Sequence, residues 1–138
     1  GRLGQKSGKG FYIYDENRNK SPDPEVEALI RKFGEERQIR MRDDITKEEI
    51  LERCLYPMVN EGFKILEEGM AIRASDIDIV WTNGYGWPVY EGGPMFYGNI
   101  IGFDKILFWL KKAELELGPE FKPSAYLEKV VTEEINIF

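Results

Sequence analysis

Thr46-Lys47-Glu48-Glu49-Ile50-Leu51-Glu52-Arg53-Cys54-Leu55-Tyr56-Pro57-Met58-Val59-Asn60-Glu61-Gly62-Phe63-Lys64-Ile65-Leu66-Glu67-Glu68-Gly69 is the stretch on which the fold turns. Thr46 and Glu49 have capping-box spacing, in which the threonine oxygen accepts the Glu49 amide and the glutamate bonds back. Ile50, Leu51, Cys54, Leu55, Met58, Val59, Gly62, Phe63 and Leu66 follow at helical spacing and predict one apolar face. The stripe persists on both sides of Pro57, so proline is expected to kink this helix rather than end it. Gly69 supplies a natural stop.

The same periodicity extends in both directions. Upstream, Pro22 and Pro24 set up a helix start, and Val26, Leu29, Ile30 and Phe33 take the i, i+3, i+4, i+7 positions. That helix ends at Gly34 or runs on to Gln38. Before it, residues 1–15 are glycine-rich and close on the extended aromatic segment Phe11-Tyr12-Ile13-Tyr14, followed by a polar linker from Asn17 to Ser21. Downstream, Ser75 is expected to cap a short helix carrying Ile77, Val80 and Trp81. Pro94 starts a segment with Met95, Phe96, Ile100 and Ile101, punctuated at Gly102. Asp104 is the expected cap of the next helix, with Phe103, Ile106, Leu107, Leu110 and Leu117 buried and Gly118-Pro119 as its end. Ser124 caps a last helix with Tyr126, Leu127, Val130 and Val131 inward. The fold class that follows is all-α with an extended N-terminal segment.

Between two of these helices lies Asn83-Gly84-Tyr85-Gly86-Trp87-Pro88, continued by Glu91-Gly92-Gly93-Pro94-Met95-Phe96-Tyr97. Glycine is the usual residue where backbone takes positive φ or approaches another surface closely. Aromatics held in such a loop are frequent anchors for a partner surface. Trp81, Tyr85, Trp87, Gly92, Gly93, Pro94, Phe96 and Tyr97 are therefore the expected packing residues.

Composition removes most catalytic options. The 138 residues include no histidine, the commonest general base near neutral pH, and a single cysteine, Cys54, expected as a small core residue. One thiol excludes an internal disulfide and a thiolate zinc cluster. A net charge of −6 with no basic cluster argues against a phosphate-backbone partner. No apolar run is long enough to cross a bilayer. Gly4-Gln5-Lys6-Ser7-Gly8-Lys9-Gly10 has the wrong spacing for a phosphate loop, with no Ser or Thr after Lys9. Asn19-Lys20-Ser21 matches a glycosylation acceptor only as chance tripeptides do. Asp43 with Asp44, and Glu67 with Glu68, lack the spacing of a cation loop and read as solvated helix ends. Asp76 and Asp78 read as complements to a helix dipole. No catalytic, cofactor-binding or metal-ligating residue is assigned.

Three segments carry a resemblance. Gly1-Arg2-Leu3-Gly4-Gln5-Lys6-Ser7-Gly8-Lys9-Gly10-Phe11-Tyr12-Ile13-Tyr14-Asp15, Ile50 through Gly69, and Ile77-Asp78 through Gly84, Gly86, Pro88 and Gly92-Gly93-Pro94-Met95-Phe96-Tyr97 to Gly102 are similar, in order and spacing, to the C-terminal helical region of the 3-hydroxyacyl-CoA dehydrogenase family. The wording resembles most the bifunctional enzymes that join enoyl-CoA hydratase and dehydrogenase in one polypeptide, and the similarity continues through Ser124-Ala125-Tyr126-Leu127.

That resemblance implies a parent enzyme of fatty-acid β-oxidation that oxidises L-3-hydroxyacyl-CoA with NAD, in which two helical repeats follow a Rossmann domain. It implies that residues 1–22 are the tail of the first repeat with its linker, and residues 23–138 the second repeat. The family's catalytic His–Glu pair lies outside these residues. Where the active repeat places an asparagine before an arginine, this chain has Glu52 before Arg53, and a carboxylate cannot supply the amide donor. The expected role is a non-catalytic repeat that packs on the preceding repeat and the Rossmann domain, binds no NAD itself, and is prone to self-association when alone. Two other readings compete: an independent acyl-CoA-binding helical module, and a helical protein-interaction domain. A peroxisome or a bacterial cytoplasm is the expected location; no Ser-Lys-Leu address ends these residues.

Overall fold

A computed structural model of the chain describes residues 1–39 and 42–138. Its residues cluster into two units, Gly1–Ile45 and Thr46–Phe138, a division that falls inside the stretch 23–138 grouped by sequence.

In the first unit, Tyr12–Tyr14 (β1) pairs antiparallel with Lys20–Pro22 (β2), with Ile13 opposite Ser21. The polar stretch expected as linker thus contributes a strand. Its turn is held by the Asp15 carboxylate, which accepts the Asn19 backbone N–H at 2.7 Å and the Asn19 side-chain amide at 2.9 Å. Helix α1 (Pro24–Glu36) follows, with Pro24 at its first turn and Asp23 as cap, accepting the Glu25 N–H at 3.0 Å. It passes through Gly34 without ending. The would-be phosphate loop closes on itself: Ser7 Oγ donates to the Gly4 and Lys9 carbonyls and accepts the Leu3 N–H.

The second unit is a bundle of α2 (Lys47–Glu67), α3 (Ala74–Gly84), α4 (Pro94–Ile101), α5 (Phe103–Leu117) and α6 (Ala125–Thr132). Thr46 Oγ1 accepts the Glu49 N–H at 3.1 Å, and α2 continues through Pro57. At its end the Gly69 and Met70 amides return to the Leu66 and Ile65 carbonyls, a Schellman closure. All four other helices pack against α2. Val59, Phe63, Met95, Ile106, Leu110 and Leu127 are fully buried, each adding about 1.5–3 kcal/mol of hydrophobic stabilisation. Phe63 meets Phe103 edge-on at 4.9 Å, and Tyr56 meets Trp109 at 5.5 Å.

The buried face of α2 differs from the expected one. It consists of Tyr56, Val59, Asn60, Gly62 and Phe63, whereas Ile50 and Leu51 are half exposed and Cys54 is exposed. Burial begins only at Tyr56, so Cys54 lies before the covered stretch and is not a core residue. Asn60 takes an inward position because its amide is satisfied at both ends: Nδ2 donates to the Lys122 carbonyl at 2.9 Å and Oδ1 accepts the Ser124 N–H at 2.8 Å. Ser124 then caps α6, accepting the Tyr126 and Leu127 amides, and donates to Glu67 at 2.7 Å. Glu67 is therefore a link between α2 and α6 rather than a free helix end.

Three other positions move. Arg73, not Ser75, occupies the cap position of α3, and its N–H donates to Asp76 Oδ2 at 3.2 Å. Gly102 precedes α5, which puts Asp104 in the first turn. Leu117, expected inward, is 38% exposed. No helix among the described residues is long and apolar enough to cross a membrane.

Candidate packing surface at the 81–97 loop

Leaving α3, the chain doubles back over its end, with the Tyr85 and Trp87 amides both donating to the Trp81 carbonyl. A 3-10 turn, Val89–Glu91, leads to Gly92 and Gly93, and α4 starts at Pro94. Helix starts leave amide donors without intrahelical partners, and Gly93 has no side chain to cap them. Asp78, buried on α3, does so from a distance. Its Oδ1 accepts the Met95 N–H at 2.7 Å and its Oδ2 the Phe96 N–H at 3.0 Å. Pro94 has no N–H to satisfy, and the Tyr97 amide begins the helix's own bonding by donating to Gly93.

Gly93 is required twice over. Its φ is +99°, and a Cβ there would lie 2.4 Å from Asp78 Cβ. Deeper in, Gly98 lets α4 lie against α2, since a Cβ there would meet Val59 at 2.7 Å. Burial pushes the Asp78 carboxyl above its usual range, and the two amides pull it back. On the same helix, Arg73 holds Asp76 below its usual range.

The eight expected packing residues divide into three groups. Trp87, Gly93 and Pro94 are buried, with Trp87 meeting Trp81 at 6.1 Å and Tyr97 at 5.8 Å. Trp81, Gly92 and Tyr97 are half-buried, whereas Tyr85 and Phe96 are exposed. Trp81 and Tyr85 form one wall of an open groove of about 560 Å³, completed by Ile65, Met70, Ile72 and Val80. Tyr85 at 71% exposure, Ile72 at 91% and the neighbouring Ile79 at 59% make this an apolar surface. Asp78 was missed as a cap from afar because its role depends on a contact 17 residues away; the missing capping side chain at Gly93-Pro94 is the signal that a remote acceptor was needed.

Behind the loop lies a polar cluster. Tyr56 is buried, and its hydroxyl raises the Lys105 ammonium above its usual range by accepting a hydrogen bond, with the Glu52 charge adding to it. Burial raises the Tyr97 hydroxyl as well. Among the described residues, no three His, Cys, Asp or Glu side chains are grouped to hold a metal ion. The strands of the described residues form a single two-stranded antiparallel hairpin.

Comparison with known proteins agrees with this helical architecture. The chain is 42% identical over 137 residues to the peroxisomal bifunctional enzyme of Homo sapiens, covering 96% of this chain and 19% of that protein. It is 37% identical over 127 residues to the glyoxysomal fatty acid beta-oxidation multifunctional protein MFP-a of Cucumis sativus, covering 90% and 18%. The chain therefore spans about a fifth of the length of these relatives. Among solved structures, the dehydrogenase part of multifunctional enzyme 1 from C. elegans matches with a TM-score of 0.64 and 34% identity, over 93% of this chain and 30% of that one. Residues 50–135, the α2–α6 bundle with its Asp78-capped loop, match the family described as 3-hydroxyacyl-CoA dehydrogenase, C-terminal domain, and the chain belongs to that family.

Proposed function

We propose that this chain is the C-terminal part of a fatty-acid β-oxidation enzyme that oxidises L-3-hydroxyacyl-CoA to 3-ketoacyl-CoA with NAD and carries enoyl-CoA hydratase activity in the same polypeptide. Residues 23–138 are the second helical repeat, with 46–138 as its compact unit, and residues 1–22 are the tail of the first with its linker. The repeat is a packing element. It takes no part in the chemistry, binds no NAD, and stabilises the dehydrogenase part by covering it. The peroxisomal and glyoxysomal relatives make an organelle of that kind the proposed location.

One observation carries this reading: the 81–97 loop is locked from within while its outer side stays apolar and uncovered. Asp78 fixes the start of α4, and Trp87 is buried beneath, yet Val80, Tyr85 and Ile72 stand out around an open groove. A side chain such as Tyr85 left 71% exposed on a rigid frame is suited to burial by a partner surface.

Titration of the isolated chain with NADH and acetoacetyl-CoA tests the non-catalytic part. No nicotinamide binding and no NADH oxidation are expected. Turnover would overturn the reading.

A further inference from the structure

Among the described residues of 1–45, the only buried ones are Asp23 and Gly34, and no hydrophobic side chain is buried at all. The contacts that shape it are polar. Arg2 donates to the Gly10 carbonyl at 3.2 Å from Nε and 3.0 Å from Nη2, and pairs with Asp23 and with Glu25, the latter at 2.8 Å. This clamp ties the glycine-rich segment to the start of α1. Beside it lies an open groove of about 580 Å³ walled by Leu3, Phe11, Tyr12, Tyr14, Val26 and Leu29. The groove continues into a row along α1, where Leu29, Ile30 and Phe33 are each about half exposed. The row from Val26 to Phe33 rises about 10 Å, two helical turns.

So small a unit cannot offset its ordering entropy without a core. Its missing core must be supplied from elsewhere. Both the human relative and the C. elegans dehydrogenase part align with more than nine-tenths of this chain, so they contain this unit within a polypeptide several times longer. Leu3 lines the groove, so residues joined ahead of Gly1 arrive at its rim.

We infer that the Val26–Phe33 face of α1 and the adjoining Leu3/Phe11/Tyr14 groove dock an apolar helix face from the part of the parent polypeptide outside residues 1–138. The inference rests on the proposed membership of a longer dehydrogenase for its partner. It adds a second docking surface, independent of the 81–97 loop. A row of four apolar residues suits a helix packed at 8–10 Å between axes.

Hydrogen exchange of α1 amides in the 138-residue chain and in the longer parent polypeptide tests it. In the chain alone, at low concentration, α1 is expected to exchange near the rate of an unfolded peptide. In the parent the same amides are expected to exchange at least roughly 100-fold more slowly. Leu29→Glu with Phe33→Glu should return them to fast exchange in the parent, while peptides from 46–138 keep their protection. Protection in the dilute chain alone would show that residues 46–138 supply the cover and would overturn the inference. So would protection that vanishes on dilution, which marks a second copy, and so would fast exchange in both proteins. Each outcome leaves the packing role of the 81–97 loop to its own test.

Discussion

Residues 46–138 and residues 1–45 contain similar apolar periodicity and reach opposite ends. In the larger unit the stripes of α2, α4, α5 and α6 converge on fully buried Val59, Phe63, Met95, Ile106, Leu110 and Leu127. In the smaller one an equally regular stripe on α1 stays half exposed, and the unit is held by the polar Arg2 clamp instead. The difference teaches that an amphipathic helix states only which face wants cover. Whether it is covered depends on partners that the helix itself does not encode.

The sharpest way to break this contrast is to open the larger core. Phe63→Ala should destabilise the chain by about 3–5 kcal/mol in urea unfolding followed by tryptophan fluorescence, since Phe63 is fully buried against Phe103. Leu29→Ala on α1 should change the same transition by less than about 0.5 kcal/mol. Equal effects would mean that the two units share one core.

Next comes the remote cap. Asp78→Ala leaves the Met95 and Phe96 amides without their acceptor and is expected to cost about 2–3 kcal/mol. Asp78→Asn keeps one acceptor oxygen and should cost less. If the alanine variant unfolds like the parent chain, α4 does not depend on this carboxylate.

Much of this was legible beforehand. Thr46, Gly69, Pro94 and Ser124 mark helix ends through local chemistry, and the structure places them at those ends. What the sequence did not show were contacts between distant residues. Asn60 is buried because the Lys122 carbonyl and Ser124 amide, more than sixty residues away, meet its side chain. Asp78 reads as a dipole complement until Gly93 brings α4 against it. Cys54 and Ile50 look like core because periodicity cannot tell where a helix's cover begins.

A smaller effect should appear with pH. Asp23, Asp76 and Glu67 have folded pKa values lowered, respectively, by Arg2, Arg73 and Ser124. Their contribution is present above the ordinary values of 3.8 for aspartate and 4.5 for glutamate, and is lost as pH falls through the lowered folded values. Asp78 runs the other way. Its folded pKa is raised, so its contribution is present below 3.8 and is lost as pH rises through the folded value. Stability should therefore fall on acidification below about pH 4.5, and fall more steeply in Asp78→Asn. Urea midpoints measured from pH 6 to pH 3 check both slopes; a shallower fall in the variant would reverse the sign assigned to Asp78.

The smallest effect on the chain itself carries the most weight. Val80→Glu with Tyr85→Ala alters only exposed side chains of the groove and should shift the isolated chain's stability by no more than about 0.5 kcal/mol per site. The measurement that tests the packing role most directly is the melting temperature of the full parent enzyme carrying this pair, followed through loss of dehydrogenase activity. Several degrees of lowering, with the isolated chain unchanged, is the predicted result. An unchanged melting temperature in the parent would contradict a packing role for this surface.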